Sequence, residues 1–437
     1  VNPVKIGLLG LGTVGCGTLD VLARNADEIT RRAGRGMQVV RASARDLERP
    51  RPCSLEGIAL TDDPYAVVDD PETEVIVELI GGHEPAQELV RRAIAAGKHV
   101  VTANKALIAV HGNTIFAEAQ ARGVMVNFEA AVAGGIPIIK AVREALAGNR
   151  IQDIAGIING TGNFILTAMG DEDRDFDDVL AEAQRRGYAE ADPTADVGGF
   201  DAAHKLTILA SIAFGIPLQY DRVLIEGIDT ITREDVGYAE QLGYRIKHLG
   251  IARMSEAGVE LRVHPTLLPE RGLLANVDGV MNAIRVVGDA VGPTLYYGPG
   301  AGAEPTASAV VADLVDVVRT LTVDPGQRVP HLAFQPHALS ETPVVPRTEV
   351  ETAYYVRLQA QDRPGVLADI TRALADAEIS IEAVWQKEPR AGETSVPVIL
   401  LTHRIREAQM DRAIAAIEDL PAVTDRVRRI RLEGGCA

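Results

Sequence analysis

Short apolar runs and amphipathic stretches alternate through the first third of the chain. Lys5-Ile-Gly-Leu-Leu-Gly10 reads as a buried strand, and the spacing of Leu19, Val21 and Leu22 predicts a helix after it. Met37–Ser43 predicts a second strand, following a loop that holds Arg31, Arg32, Gly34, Arg35 and Gly36. Val75–Ile80, Lys98–Thr102 and Val124–Phe128 continue the strands, and Glu84-Pro85 opens a helix from Ala86 to Ala96 at a position where proline is tolerated. Strand and helix in alternation predict an open parallel sheet.

The period changes after Pro137. A helix is expected over Ile138–Leu146 and a strand over Ile151–Ile158. One helix closes on Gly187, and another opens near Asp201 and runs through Leu206, Leu209, Ile212 and Ala213. Arg233–Leu242 looks helical, while Tyr244–Arg253, Val259–Leu267 and Met281–Val287 read as strands of an open sheet. Gly298–Gly302 suits a plain turn as well as a loop facing a cofactor, and an amphipathic helix then runs to about Leu321. Val323–Thr348 is proline-rich, lacks a clear period and reads as a linker. Beyond it, strands over Thr352–Leu358, Ile379–Gln386, Val396–Thr402 and Val423–Leu432 and helices over Pro364–Ala375 and Ile405–Ile417 give the ferredoxin-like order β-α-β-β-α-β. The expected organisation is a dinucleotide-binding domain at 1–136, an α+β substrate-binding and dimerisation domain at 137–322, a linker at 323–348 and a small domain at 349–437.

Composition narrows the class. With 437 residues, 46% hydrophobic and 24% charged, the chain is an ordinary globular one with room for about two to four domains. A net charge of −17 argues against a nucleic-acid partner and against docking on anionic membranes. Cys16, Cys53 and Cys436 are too few and too scattered for a disulfide framework or a zinc site. No apolar run is long enough to span a bilayer, and Val1-Asn-Pro-Val-Lys-Ile leads into a strand rather than a signal peptide. A cytoplasmic location is therefore expected.

Several stretches carry chemistry. Gly10-Leu11-Gly12-Thr13-Val14-Gly15 lies between a strand and a helix, as the dinucleotide fingerprint requires. The second strand ends in Ser43-Ala-Arg45-Asp46; Arg45 suits a 2′-phosphate and favours NADP, while Asp46 leaves NAD open. Lys105 follows the strand Lys98–Thr102 at the edge where open sheets bind ligands. Glu129, followed by small residues whose carbonyls are free, could cage a hard cation. Asn159-Gly-Thr161-Gly-Asn163 offers N–H groups and a hydroxyl to a substrate carboxylate. The central stretch, Ala183 to Lys205, gathers Glu190, Asp192, Asp196 and Asp201 around one lysine, with Asp201 and Lys205 one turn apart on a helix. Such a loop suits an amino-acid substrate. It equally suits a solvated acidic loop with one surface ion pair, worth at most about 1 kcal/mol. In the small domain, the turn Asp362-Arg-Pro364-Gly365 could hold an amino-acid carboxylate, or the domain could serve dimerisation.

Ala183-x3-Gly187-Tyr-Ala, Asp192-Pro-x2-Asp196 and Asp201-x3-Lys205 resemble the signature of the homoserine dehydrogenase family. Gly10–Gly15, Glu78–Gly82, Thr102–Lys105 and Asn159–Asn163 resemble it too, in its order, and the C-terminal unit resembles an ACT regulatory domain. The resemblance implies reversible NAD(P)-dependent reduction of L-aspartate 4-semialdehyde to L-homoserine, in threonine, isoleucine and methionine synthesis. It implies Lys205 as proton donor and Lys105 at nicotinamide and substrate. Glu190, Asp201 and Thr161 would contact substrate, and Asp196 would set the environment of the lysine. Gly187 and Gly302 would line the cofactor site. Sodium or potassium would sit at Glu129 and the carbonyls of Val132, Gly134 and Ile136. L-threonine is the implied effector, and a homodimer or homotetramer the implied assembly. Position 162 is Gly where the family often has Thr. A dehydrogenase for another amino-acid semialdehyde or amine, and a non-catalytic amino-acid sensor, are the alternative readings.

Overall fold

The central strands of the first sheet owe their position to continuous apolar runs covered on both sides, the pattern of a buried parallel sheet. In the computed structural model, which describes residues 2–387 and 394–434, this sheet comprises β1 (Val4–Leu9), β2 (Met37–Ser43), β3 (Ala59–Thr61), β4 (Val75–Glu78), β5 (His99–Thr102) and β6 (Val126–Asn127). Val1 and Cys436 lie outside the described residues. The strand order is β3-β2-β1-β4-β5-β6, every pair parallel, so the winding reverses between β1 and β4 and opens a crevice beyond the strand ends. The connecting helices are α1 (Thr13–Arg24), α2 (Ala26–Ala33), α3 (Pro64–Val68), α4 (Ala86–Ala95) and α5 (Lys105–Arg122). Arg31 and Arg32 belong to α2, not to a loop: Glu28 pairs with both at 3.1 and 2.8 Å, Ile29 and Ala33 face the core, and Gly34 closes the helix with φ 79°.

In the second unit the expected helix at 138 begins as α6 (Ile138–Lys140) and widens into a π-wound turn over Ala141–Ala145. Then come β7 (Ile151–Ile157), α7 (Gly160–Asp171), α8 (Phe176–Arg185), α9 (Thr194–Val197), α10 (Phe200–Phe214), β8 (Leu224–Ile225), α11 (Arg233–Gln241), β9 (Tyr244–Ser255), β10 (Gly258–Pro269), β11 (Met281–Gly288) and β12 (Gly292–Pro299). β12 is an edge strand in a stretch to which the sequence pattern assigns no element, and it ends where Gly298–Gly302 begins. The helix α12 (Ala303–Thr320) returns to the first unit, where Val310, Leu314 and Val317 share a core with Leu8, Leu19 and Val77. Burial of each such side chain contributes roughly 1.5–3 kcal/mol. The crossing of α1 and α12 is close enough that a Cβ on Gly17 would stand 2.6 Å from the Ala303 carbonyl oxygen.

Residues 323–350 contain only short 3-10 turns, yet they are packed. Val259 N donates to Pro343 O and Val345 N to Val259 O, each at 2.9 Å, and Leu332 is buried. The C-terminal unit consists of β13 (Glu351–Gln361), α13 (Val366–Asp376), β14 (Ile381–Gln386), β15 (Ser395–Thr402), the short β16 (Ile405–Arg406), α14 (Glu407–Glu418) and β17 (Arg428–Leu432). Its strands lie in the order β17-β13-β15-β14, and β17 also pairs in parallel with β10 through Thr266–Arg431 and Leu267–Leu432. The two sheets thereby merge into one, with β7, β9, β11 and β12 on the far side of β10. Among the described residues no helix is long and apolar enough to cross a membrane.

Candidate active site

Two strand ends and one helix start meet at the crevice. At the end of β5, Thr102 Oγ1 donates to Glu78 Oε2 at 2.6 Å, and Glu78 Oε1 accepts the N–H groups of Ile80 and Gly81 at 2.8 and 3.1 Å. Asn104 caps α5 by accepting Leu107 N at 3.0 Å and donates to Gly82 O at 2.6 Å. Lys105, the first residue of that helix, is thus aimed across the crevice, where its Nζ lies 3.2 Å from Asp201 Oδ1.

From the opposite side, Asn159 caps α7 by accepting Gly162 N at 2.7 Å. Its amide donates to Asp196 Oδ1 at 2.7 Å and to Asp201 Oδ2 at 2.8 Å. Asp201 stands in the first turn of α10, where the helix N-terminus favours an anion. Lys205, one turn on, donates to Asp201 Oδ2 and to Ile158 O, both at 2.7 Å. One buried carboxylate therefore holds two ammonium groups and one amide. Burial would raise the Asp201 carboxyl, but Lys205 and Lys105 outweigh it and hold it well below the usual carboxylate range. Asp196 moves the other way, raised chiefly by burial although the Asn159 amide opposes this. Asp201 raises Lys105 against the opposing effect of burial.

These groups face a cleft of about 590 Å³. Lys105, Lys205, Thr161, Glu190, Asp196 and Asp201 line it together with Val14, Gly134, Gly187 and Gly302. Thr161 Oγ1 donates to Tyr188 O at 2.6 Å, which ties α7 to the loop bearing Glu190. Gly10, Leu11, Gly12, Thr13 and Gly15 stand outside this lining, in the turn before α1 and the first turn of that helix. Gly10 has φ 100°, and a Cβ there would lie 2.8 Å from Leu79 O; one at Gly15 would lie 2.2 Å from Gly10 O. A Cβ at Gly12 would meet nothing within 4 Å, so the backbone there is open to a pyrophosphate. Arg45 is exposed beyond β2 and has no ion pair among the described residues, whereas Asp46 Oδ1 accepts the N–H groups of Glu48 and Arg49 at 3.0 and 3.1 Å.

Glu129 is buried beneath the cleft. Its oxygens accept Ile139 N and Lys140 N, each at 2.9 Å, and burial, then Asp313, push its carboxyl up to about 7. The Ile136 carbonyl accepts Ile138 N at 2.7 Å, and Ala133 turns the backbone with φ 49°. Among the described residues no three His, Cys, Asp or Glu side chains are grouped to hold a metal.

The stretch Asn159–Asn163 stands out in the sequence for its N–H groups and the Thr161 hydroxyl, not for the Asn159 side chain. Its place before Gly160 marks a helix cap, but its carboxylate partners lie 37 and 42 residues on. Asn282 was also missed: it lines the cleft, donates to Ile157 O at 2.8 Å and lies where a Cβ on Gly300 would overlap it.

Comparison with known proteins gives this geometry a family. The model for homoserine dehydrogenase matches residues 137–315, that for the homoserine dehydrogenase NAD binding domain matches 10–129, and that for the ACT domain matches 354–422. The homoserine dehydrogenase of Pseudomonas aeruginosa is 62% identical over 434 residues, covering 99% of each chain. The chain belongs to the homoserine dehydrogenase family. The homoserine dehydrogenase of Bacillus subtilis is 38% identical over 435 residues, again 99% of each chain. A crystal structure of the homoserine dehydrogenase from Thiobacillus denitrificans matches with a TM-score of 0.94 and 66% identity over 99% of both chains. A hyperthermophilic archaeal homoserine dehydrogenase in complex with NADPH matches 73% of this chain and 98% of its own, with a TM-score of 0.61 and 26% identity. Membership in the homoserine dehydrogenase family makes the chain an oxidoreductase acting on a CH–OH group, with an NAD-binding unit and a C-terminal ACT domain.

Replacing the shared anion tests the electrostatics. Asp201→Asn should lower stability at pH 7 by about 3 kcal/mol, because it strands a buried ammonium. Since the native carboxyl is depressed, its contribution is complete above the ordinary value of about 4 and fades as pH falls through the native one. Thermal denaturation from pH 7 downward should show the variant and the parent converging in acid. A constant gap would contradict this.

Proposed function

We propose that the cleft interconverts L-aspartate 4-semialdehyde and L-homoserine, with Lys205 moving the proton on the reacting oxygen. The observation that carries this reading is the pairing of Lys205 and Lys105 with the one carboxylate of Asp201 inside the cleft. NADP, with NAD as the alternative, would be held by Gly10–Gly15 and supplies or accepts the hydride.

Each residue then has a task. An ammonium has three donors, and Lys205 spends two on Asp201 and Ile158 O. Its third is left for the substrate oxygen, to stabilise negative charge there and to pass it a proton. Lys105 orients the substrate beside the nicotinamide and adds a second positive charge. Glu190 and Asp196 suit the substrate amino group. The Thr161 N–H at the N-terminus of α7 suits its carboxylate, while the Thr161 hydroxyl is spent on Tyr188 O. Arg45 suits the 2′-phosphate of NADP, because it is exposed without an ion pair among the described residues while Asp46 is engaged in its own turn.

A monovalent cation fits the turn behind the cleft. Glu129 and the carbonyls of Val132, Gly134 and Ile136 are hard oxygen donors. Nearby Asp313 Oδ1 is buried with no hydrogen-bond partner and meets Lys140 only at 3.9 Å, so the region can accept positive charge. For the ACT domain the proposed effector is L-threonine, in the 440 Å³ cleft lined by Asp362, Arg363, Gly365 and Gln386. The protein is read as a cytoplasmic homodimer or homotetramer.

Lys205→Ala should cut homoserine-dependent reduction of the coenzyme by about 10²–10⁴-fold while leaving coenzyme affinity within a few-fold. Turnover near the parent's would remove Lys205 from the chemistry. Arg45→Ala should raise KM for NADP about tenfold and leave that for NAD unchanged; equal effects on both would assign Arg45 elsewhere. In thermal-shift measurements, sodium or potassium should raise Tm relative to choline, and L-threonine relative to L-serine. An absent shift would withdraw the corresponding site.

A further inference from the structure

β17 places charge where a strand of this pattern would face water. Arg429, Arg431 and Glu433 alternate with Ile430 and Leu432, yet Arg431 and Glu433 are each only 1% exposed. The Arg431 guanidinium works as a two-sided fork. Its Nη1 and Nη2 donate to the two oxygens of Glu226 at 2.6 and 2.9 Å, and its Nε and Nη2 donate to Glu407 at 3.0 and 2.5 Å. Glu407 opens α14 and also accepts the Tyr354 hydroxyl at 2.6 Å, so the fork is anchored within the C-terminal unit. Glu226 belongs to the other unit, immediately after β8.

Glu226 in turn stands behind the catalytic carboxylates. Its N–H donates to Val263 O at 2.8 Å, and its carbonyl accepts His248 Nε2 at 2.9 Å. The following residues press on the segment between Asp196 and Asp201. Ile228 N donates to Val197 O at 2.8 Å, and a Cβ on Gly227 would lie 2.6 Å from that same oxygen and 2.9 Å from Gly198 Cα. A Cβ on Gly199 would lie 3.1 Å from His248 Cε1 and 3.2 Å from Ile225. There is no slack between residues 225–228 and 197–199, so where one goes the other must follow.

We propose that Arg431 is a positioning residue for the dehydrogenase reaction, its bidentate pair with Glu226 fixing the backbone that sets Asp196 and Asp201. The proposal rests on the reading of the cleft given above and adds to it a contribution from the C-terminal strand. Without the guanidinium, Glu226, whose side chain is 32% exposed, loses both of its hydrogen bonds to Arg431 and is free to turn toward water. The main chain behind Asp196 then loses its support, while the glycine-rich turn before α1, in a separate sheet, does not. Any ligand of the ACT domain that displaces Glu407 or β17 would act on the substrate site by this route.

The test uses the full-length protein and three variants, Arg431→Met, Arg431→Lys and Glu226→Gln. In variants that fold, KM for homoserine should rise about five- to tenfold, the range of such couplings, with KM for the coenzyme within about twofold. Arg431→Lys should fall between parent and Arg431→Met, and the double variant Arg431→Met/Glu226→Gln should be no worse than the worse single. If Arg431→Met does not fold, Arg431→Lys and Glu226→Gln give the same reading. An unchanged homoserine KM with only a lower Tm would overturn the proposal, as would a parallel rise of both KM values. Turnover of the parent with homoserine checks the underlying reading separately.

Discussion

The structure depends on one carboxylate kept ionised in a place where carboxylates are costly. Asp201 is 7% exposed, and taking it out of water would drive it to bind a proton. Two lysines, the Asn159 amide and the start of α10 keep it charged. In return it brings Lys105, from the end of the first sheet, and Lys205, from the second unit, to one point. Remove that charge and the two lysines repel each other across an empty centre. The site is therefore an electrostatic joint between two units as much as a chemical one.

The same arrangement recurs where the units meet at β10. There Arg431 and Glu433 leave the C-terminal unit and are neutralised by Glu226, Arg253 and Arg262 in the catalytic one. Buried ion pairs add little net stability, because desolvation offsets attraction, but removing one partner is strongly destabilising. Ile430 and Leu432 join Leu267 and Ile228 in an apolar core on one face of the seam, and the charges on the other face fix its register. A slip of β17 by one residue would point Ile430 and Leu432 at the acids and leave Arg431 unpaired.

Much of this was legible in the residues. The glycine fingerprint, the lysine at the strand end and the Asp201–Lys205 spacing each follow from local geometry, and the cleft gathers Lys105, Lys205, Thr161, Glu190, Asp196 and Asp201. What was not legible depends on partners distant in sequence. Asn159 gains its role only when Asp196 and Asp201 fold back onto it. The burial of Arg431 and Glu433 was not legible because their partners, Glu226 and Arg262, lie 205 and 171 residues away. Arg31 and Arg32 fell in an expected loop because only Ile29 and Ala33 supply an apolar face, and the helix rests on its ion pairs. β12 escaped because glycine and proline at both ends and an exposed edge weaken the strand signal.

The central claim is that Lys205 works only while Asp201 holds it. A double-mutant cycle on kcat/KM with Asp201→Asn and Lys205→Ala measures this directly. The account predicts strong non-additivity: once Lys205 is gone, removing the charge of Asp201 costs far less than it does in the parent. If the two losses simply multiplied, the carboxylate and the amine would be acting independently, and the account would be wrong.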